Sequence, residues 1–165
     1  MLALLDRFTE LTGRTVAWLT GAMAVLTVLV VVLRYAFGEG TIALQESITY
    51  LHGIVLMLGM AYALKHDAHV RVDLIYGKLS PRGQSLINLL GHCLFLIPVA
   101  VTLLWSSLPY VRASWRILEG SSEVGGLPAV FLLKTLIPVM AALLLLQALA
   151  EIIRQLARLH SARQT

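Results

Sequence analysis

The sequence has little charge and almost no cysteine. Asp, Glu, Lys and Arg together make up 13% of the 165 residues, about half the share that a soluble domain uses to keep its surface in water. The single cysteine, Cys93, excludes an intramolecular disulfide and a metal site built from several cysteines. The sequence also lacks a P-loop, a dinucleotide-binding fingerprint, a zincin motif and a serine-hydrolase elbow. The low charge argues against a soluble domain. Because the catalytic and nucleotide-binding motifs are missing, we predict that the protein is not an enzyme.

Apolar residues are abundant and occur in long runs. They make up 58% of the sequence, and the mean hydropathy is +0.82. A helix needs about 20 mostly apolar residues to cross roughly 30 Å of hydrocarbon, and four runs are long enough. The predicted spans cover residues 15–37, 41–64, 84–110 and 126–150. We therefore predict an all-α integral membrane protein with four transmembrane helices, in a single membrane domain over residues 1–165.

The basic residues lie in short clusters between the apolar runs. The net charge is +4, but this arrangement is typical of the flanks of membrane spans, so no nucleic-acid partner is expected. Three basic residues fall on one side of the predicted membrane, namely Arg34, Arg112 and Arg116. Nine fall on the other side, namely Arg7, Arg14, Lys65, Arg71, Lys78, Arg82, Arg154, Arg158 and Arg163. Because Lys and Arg concentrate in cytoplasmic loops, both termini are predicted to be cytoplasmic.

The segment between the second and third spans has a helical pattern of its own. Its apolar residues fall on one stripe, namely Val72, Ile75, Tyr76 and Leu79. Arg71, Asp73 and Lys78 lie off this stripe, and Ser80 with Pro81 ends the pattern. We predict a short amphipathic helix at the cytoplasmic interface; the alternative is an irregular loop.

Two groups of histidines could indicate a metal or haem site. His66 and His69, with Asp67 and Asp73, offer metal-ligand side chains, but polar residues are expected at a water–lipid boundary, and we predict no metal site. His52 and His92 lie inside the second and third spans at depths that we expect to be similar. Two facing histidines can ligate haem, so a haem-binding electron-transfer subunit is the alternative function. The simpler interpretation is that each imidazole hydrogen-bonds within the membrane, with no cofactor.

Ionisable side chains within the spans are few. Glu46 lies near the outer end of the second span and Lys134 near the outer end of the fourth, with Arg34 at a similar depth. Such groups are costly in hydrocarbon and are usually paired and inward-facing. They indicate either a proton or ion relay or a structural pair that holds helices or a partner. We favour the structural role, because transport pathways contain more polar groups and broken helices.

Several short motifs, taken in order, resemble one known family. They are Arg34-Tyr35 with Phe37, Gln45-Glu46, Gly59-Met60-Ala61-Tyr62-Ala63, His69-Val70-Arg71-Val72-Asp73, Gly125-Gly126-Leu127-Pro128, Lys134, Ile137-Pro138 and Leu146-Gln147. Together they resemble the small membrane subunit, of DctQ type, of tripartite ATP-independent periplasmic (TRAP) transporters.

This resemblance implies an accessory scaffold subunit in the bacterial inner membrane. A periplasmic binding protein would deliver an organic acid or related solute, and a large multi-span permease would carry the substrate and sodium sites. The small subunit would pack on the static part of that permease, surrounded by lipids. Four residues then become interface or structural candidates, namely Arg34, Glu46, Lys134 and Gln147. A small transporter that works alone is a further alternative, and the substrate cannot be deduced because specificity would reside in the partners.

Overall fold

The computed structural model describes residues 2–69 and 76–161, which form four long helices joined by short connections. Helix α1 is Leu2–Ala36 and α2 is Ile42–Lys65. Helix α3 is Pro81–Arg116, in which a π-helical turn, His92–Leu96, separates Pro81–Gly91 from Ile97–Arg116. Helix α4 is Val130–Ser161. All four are long and apolar enough to cross a membrane, and the described residues contain no strand. The predicted all-α, four-span fold is thus confirmed, while its orientation stays a prediction.

Helices α1, α3 and α4 differ in extent from the apolar runs that predicted them. Helix α1 begins at Leu2 and not near residue 15, because its first turns are themselves packed, with Thr9, Gly13 and Val16 buried. Helix α4 begins at Val130 and not near residue 126, because the Gly-Gly-Leu-Pro segment before it belongs to a folded loop.

The helices form an open layer. Helix α1 packs mainly on α2, while α2 and α3 both pack on α4, and α1 meets α4 only sparsely. The layer therefore runs α1–α2–α4–α3, with α4 the most buried member. Its core joins Ala100 of α3 to Met140 and Leu144 of α4. An open layer leaves many large apolar side chains exposed, as lipid or a membrane partner requires.

Two glycines allow the helices to approach closely. A Cβ at Gly13 would lie 2.2 Å from the Tyr62 ring, and one at Gly53 would lie 2.8 Å from Leu133 Cδ1. The first glycine sets the α1–α2 contact and the second the α2–α4 contact. Small residues at crossings let backbones pack without a side chain between them.

The π-helical turn in α3 lies directly before Pro98. Proline has no N–H to donate to the preceding turn, and a wider turn accommodates the lost hydrogen bond. Helix α3 thereby continues through the membrane as one element. The turn includes His92 and the exposed Cys93.

The predicted amphipathic helix falls largely outside the described residues. This applies to Arg71, Val72, Asp73 and Ile75, so the helix stays a prediction. Within the described part, the Leu79 N–H donates to the Tyr76 carbonyl at 3.1 Å. Ser80 then caps α3 by accepting a hydrogen bond from the Gly83 N–H at 3.3 Å, and Pro81 occupies the first turn.

Candidate functional site: two polar clusters

Polar side chains gather at both ends of the layer. We name the group beside the α3–α4 loop the loop-end cluster; it contains Glu46, Tyr110, Glu119, Ser121, Leu127 and Lys134. We name the group at the opposite end, beside the start of α1 and the last turns of α4, the terminal-end cluster; it contains Asp6, Thr9, Glu10, Arg14, Lys65, His66, Gln147, Glu151 and Arg154.

The α3–α4 loop, residues 117–129, is closed by its own backbone. The Ser121 N–H donates to the Leu127 carbonyl at 3.0 Å, and the Gly126 N–H donates to the Glu123 carbonyl at 3.1 Å. Gly125 has a φ of +79°, a left-handed conformation that favours glycine. A Cβ on Gly126 would lie 2.4 Å from Ser121 Oγ and 2.8 Å from Glu46 Oε2. The two glycines therefore bring the loop backbone against α2.

Glu46 of α2 binds this loop through hydrogen bonds. Its carboxylate accepts a hydrogen bond from the Ser121 hydroxyl and another from the Leu127 N–H at 2.6 Å. Glu46 forms no salt bridge with the described residues, so hydrogen-bond donors of the loop stabilise its charge. A carboxylate that accepts a backbone N–H makes a charge-assisted bond, stronger than one between neutral groups.

Lys134 holds the same loop from α4. Its Nζ lies 2.6 Å from Glu119 Oε2 and 4.2 Å from the centre of the Tyr110 ring. The Lys134 ammonium group, by hydrogen bonding to the carboxylate, holds the pKa of Glu119 below its usual value. Glu46 and Lys134 therefore bind different points of one loop, and each has its closest polar partner there and not in the other.

An aromatic contact supports the loop from below. The Trp115 ring packs edge-on against Phe131, with centroids 4.7 Å apart, and its Nε1–H donates to Thr135 Oγ1 at 2.9 Å. This contact fixes the last turn of α3 against the first turn of α4, on either side of the loop.

At the terminal end, Glu10 ties α1 to α2. Its Oε2 lies 2.8 Å from Lys65 Nζ and 2.9 Å from His66 Nε2, while its Oε1 lies 2.9 Å from Arg14 Nε. Lys65 also donates to the Asp6 carbonyl at 3.0 Å. The Glu10 carboxylate thus contacts three basic side chains, namely Arg14 of α1, Lys65 at the end of α2 and His66 directly after it.

A second group of bonds ties α1 to α4. Arg154 binds both Asp6 of α1 and Glu151 of its own helix. The Gln147 side chain, fully buried, donates to Glu151 Oε1 at 3.0 Å and accepts from Thr9 Oγ1 at 3.2 Å. These polar bonds join α1 to α4, which otherwise contact each other only sparsely.

A comparison with known families shows which family this chain belongs to. Residues 23–158 match the family described as "Tripartite ATP-independent periplasmic transporters, DctQ component". The chain belongs to this family. A Haemophilus influenzae protein named as a candidate TRAP transporter small permease is 35% identical over 75 residues, which cover 46% of this chain and 47% of that protein. The aligned part is thus about half the length of that relative. As a DctQ component with four apolar helices, the chain is a multi-pass membrane protein of TRAP type.

The clusters of this DctQ chain contain three of the four side chains that the sequence singled out. Glu46 and Lys134 lie in the loop-end cluster and Gln147 in the terminal-end cluster. Arg34 is exposed near the end of α1 and makes no ion pair within residues 2–69 and 76–161. These positions describe contacts within the chain, and a role toward partners stays a prediction.

Sequence reasoning missed most of the charged partners. It did not foresee the bonded roles of Asp6, Glu10, Lys65, Glu119, Glu151 and Arg154. One available signal was the spacing of Asp6, Glu10 and Arg14, which are four residues apart and share a helix face. No comparable signal marked Glu119, which lies in a loop.

The two histidines of the haem alternative lie far apart along the DctQ helices. His92 lines a cavity together with Lys65 and Glu151 at the terminal end. His52 is exposed on α2, 13 positions before Lys65, which is about 20 Å along a helix. Their expected similar depth is therefore wrong, and the structure does not favour the haem alternative.

Proposed function

We propose that this chain is the small scaffold subunit of a sodium-coupled TRAP transporter in the bacterial inner membrane. Its partners would be a large multi-span permease and, transiently, a periplasmic binding protein that delivers an organic acid or related solute. Both termini would be cytoplasmic, which places the α3–α4 loop on the periplasmic side. The family membership supports the transporter class; sodium coupling, the solute and the partners belong to the proposal.

The observation that best supports the scaffold role is the set of contacts that Glu46 and Lys134 make with the α3–α4 loop. They are the ionisable side chains that sequence analysis placed within the spans as relay candidates, and both hold the α3–α4 loop. A relay group must exchange partners as an ion or proton passes. Glu46 instead accepts a backbone N–H and a hydroxyl group, and Lys134 has both a carboxylate and an aromatic ring against it. Such contacts favour a fixed shape over a translocation path.

The open layer supports the same role. Large apolar side chains stay exposed along the membrane part of α1, including Trp18, Val25 and Val28. A helix that buries only one edge against its own chain has a second face free for a larger membrane protein. A layer of this kind would enlarge the anchored part of the permease without adding a substrate site.

Reconstitution tests the proposal directly. The chain, the large permease of the same genome, and both together are placed in proteoliposomes with the binding protein and a sodium gradient. We expect solute uptake with both subunits and none with this chain alone. Uptake by the chain alone, at a rate comparable to the complete system, would contradict the scaffold role.

A variant of Lys134 distinguishes a role in assembly of the complex from a role in transport. We expect Lys134→Met to lower the amount of permease that co-purifies with the chain, while the complex that survives keeps its affinity for the solute. Arg116→Gln, which removes an exposed charge from the last turn of α3 at the same end of the layer, is the control and should leave recovery unchanged. An assembled Lys134→Met complex that had lost its sodium dependence would assign Lys134 to the transport path.

A further inference from the structure

A basic groove lies between α3 and α4 at the terminal end. Arg82, in the first turn of α3, and Arg158, near the end of α4, line one cavity of about 300 Å³. Both side chains are exposed, and neither makes an ion pair with the residues that the structure describes. Two arginines from different helices thus share one cavity with their donors available.

The floor of this cavity is polar but already bonded. Asn88 Nδ2 donates to the Tyr76 hydroxyl at 2.8 Å, and Gln84 Nε2 donates to the carbonyls of Tyr76 and Leu79 at 3.3 and 3.2 Å. No acidic side chain is among the described lining residues. The cavity therefore has a positive charge that its own described walls do not neutralise.

The same arginine lines a second, more apolar cavity. This cavity has a volume of about 370 Å³, and its other walls include Leu86, Leu156 and Leu159. Leu86 and Leu156 are each about half exposed. Arg82 therefore lies between a polar cavity and a leucine-lined one on the same pair of membrane helices. We name these two neighbouring cavities, which share Arg82, the α3–α4 groove.

We propose that the α3–α4 groove binds an anionic phospholipid. Its phosphodiester would lie between Arg82 and Arg158, because guanidinium groups bind phosphate oxygens in a bidentate manner. An acyl chain would lie along Leu86, Leu156 and Leu159, which a free phosphate ion would leave uncovered. Basic pockets between helices at a membrane surface suit anionic headgroups. This site is separate from the scaffold role and does not depend on it.

Native mass spectrometry tests the site on the full chain. Delipidated protein in detergent is titrated with dioleoyl phosphatidylglycerol or with dioleoyl phosphatidylcholine, and bound lipid is counted. Charge-assisted hydrogen bonds are worth roughly tenfold in affinity or more, so we expect the first phosphatidylglycerol to bind on the order of tenfold more tightly. The double variant Arg82→Gln, Arg158→Gln should lose this preference. Arg7→Gln, which removes an exposed arginine of α1 at the same end of the layer, should keep the preference for phosphatidylglycerol.

Competition experiments test whether the bound phosphate belongs to a lipid or to a soluble molecule. Inorganic phosphate and glycerophosphoglycerol should not displace phosphatidylglycerol at equal concentration; displacement by either would overturn the lipid assignment. Leu86→Gln with Leu156→Gln should weaken phosphatidylglycerol binding, and unchanged binding would remove the acyl-chain part of the proposal.

Two outcomes would overturn the site itself. The first is equal binding of the two lipids by the wild-type chain, which decides the matter even if the arginine double variant cannot be purified. The second is an unchanged preference in that double variant. If permease co-purification is lost together with this second outcome, the groove is a contact for an acidic segment of the partner.

Discussion

The loop-end and terminal-end clusters stabilise the same layer by different means. At the loop end, Glu46 and Lys134 bind a shaped loop, and a backbone N–H is among the donors. At the terminal end, Glu10 and Arg154 join helices through ion pairs, next to the neutral hydrogen bond between Thr9 and Gln147. The first arrangement depends on the loop conformation that Gly125 and Gly126 permit. The second depends on charge near helix ends, where side chains can rearrange, and it should tolerate substitution better.

The largest expected effect concerns which side of the membrane each cluster faces. With Cys93 replaced by Ser, a single cysteine at Ser122 should react with a membrane-impermeant thiol reagent in intact cells, and one at Ser161 should not. The expected difference is all or none, because the apolar core of the bilayer separates the two positions. Labelling at Ser161 with protection of Ser122 would reverse the orientation and exchange the environments of the clusters.

The next effect should come from Gly126→Ala. The new methyl group would overlap the Ser121 side chain and the Glu46 carboxylate, so the loop must move away from α2. Hydrogen exchange of the Leu127 amide should then rise by roughly tenfold or more, since its acceptor is lost. Gly40→Ala in the α1–α2 connection is the control, because a Cβ there meets open space. Equal exchange of Leu127 in wild type and Gly126→Ala would mean that the loop does not depend on this close approach.

A smaller effect should follow pH through Glu119. Its pKa is lowered by Lys134 from an ordinary value of 4.5, so the folded state binds its proton less readily than the unfolded chain does. The corresponding stability is fully present above pH 4.5 and is lost as pH falls through the lowered pKa. Thermal unfolding followed by circular dichroism should therefore show a steeper acid loss in wild type than in Lys134→Met. Glu123→Gln, an exposed carboxylate in the same loop, should keep the wild-type slope.

A double-mutant cycle sharpens the same point. Glu119→Gln and Lys134→Met should be strongly non-additive in their effects on unfolding temperature, because the two side chains are in contact. Glu46→Gln and Lys134→Met should be closer to additive, since they bind different points of the loop. The reverse order of coupling would indicate that Glu46 and Lys134 pair directly.

The smallest effect is expected from Glu10→Gln at the terminal end. Replacing this carboxylate weakens the link between α1 and α2, and it should lower the unfolding temperature by a few °C at most at low salt. The difference from wild type should shrink at about 1 M salt, where screening acts within roughly 3 Å. Arg14→Gln, at the most exposed of its partners, should be neutral. A salt-independent loss would show that the terminal end is as rigid as the loop end.

The helices could be predicted from sequence because hydropathy is a local property. A run of about 20 apolar residues must be helical in lipid, since no water is present to satisfy its backbone. For the same reason Glu46 and Lys134 could be recognised as side chains that need partners, whereas Gln147 was named only through the family resemblance. The early start of α1 at Leu2 escaped prediction, because residues 2–14 are polar enough to resemble a tail and are ordered by contacts with α2 and α4.

The partners themselves could not be predicted, because they depend on the order of helices in the layer. Asp6 and Arg154 are 148 positions apart and meet only because α1 and α4 come together at the terminal end. Glu119 reaches Lys134 through the path of a loop that two glycines and a proline shape. His52 and His92 show the reverse case, in which counting along separate helices predicted a similar depth that the packing does not give.

The spacing of the two clusters along single helices has a consequence for the bilayer itself. Glu46 and Lys65 are 19 positions apart on α2, and Lys134 and Glu151 are 17 apart on α4. At 1.5 Å per residue these separations are about 29 Å and 26 Å, close to the roughly 30 Å of hydrocarbon in a typical membrane. The distance between the polar clusters at the two ends of the layer therefore matches one bilayer thickness. In a thicker or thinner bilayer the layer must tilt or deform the surrounding lipid, and any protein bound along its face would be held at the same depth.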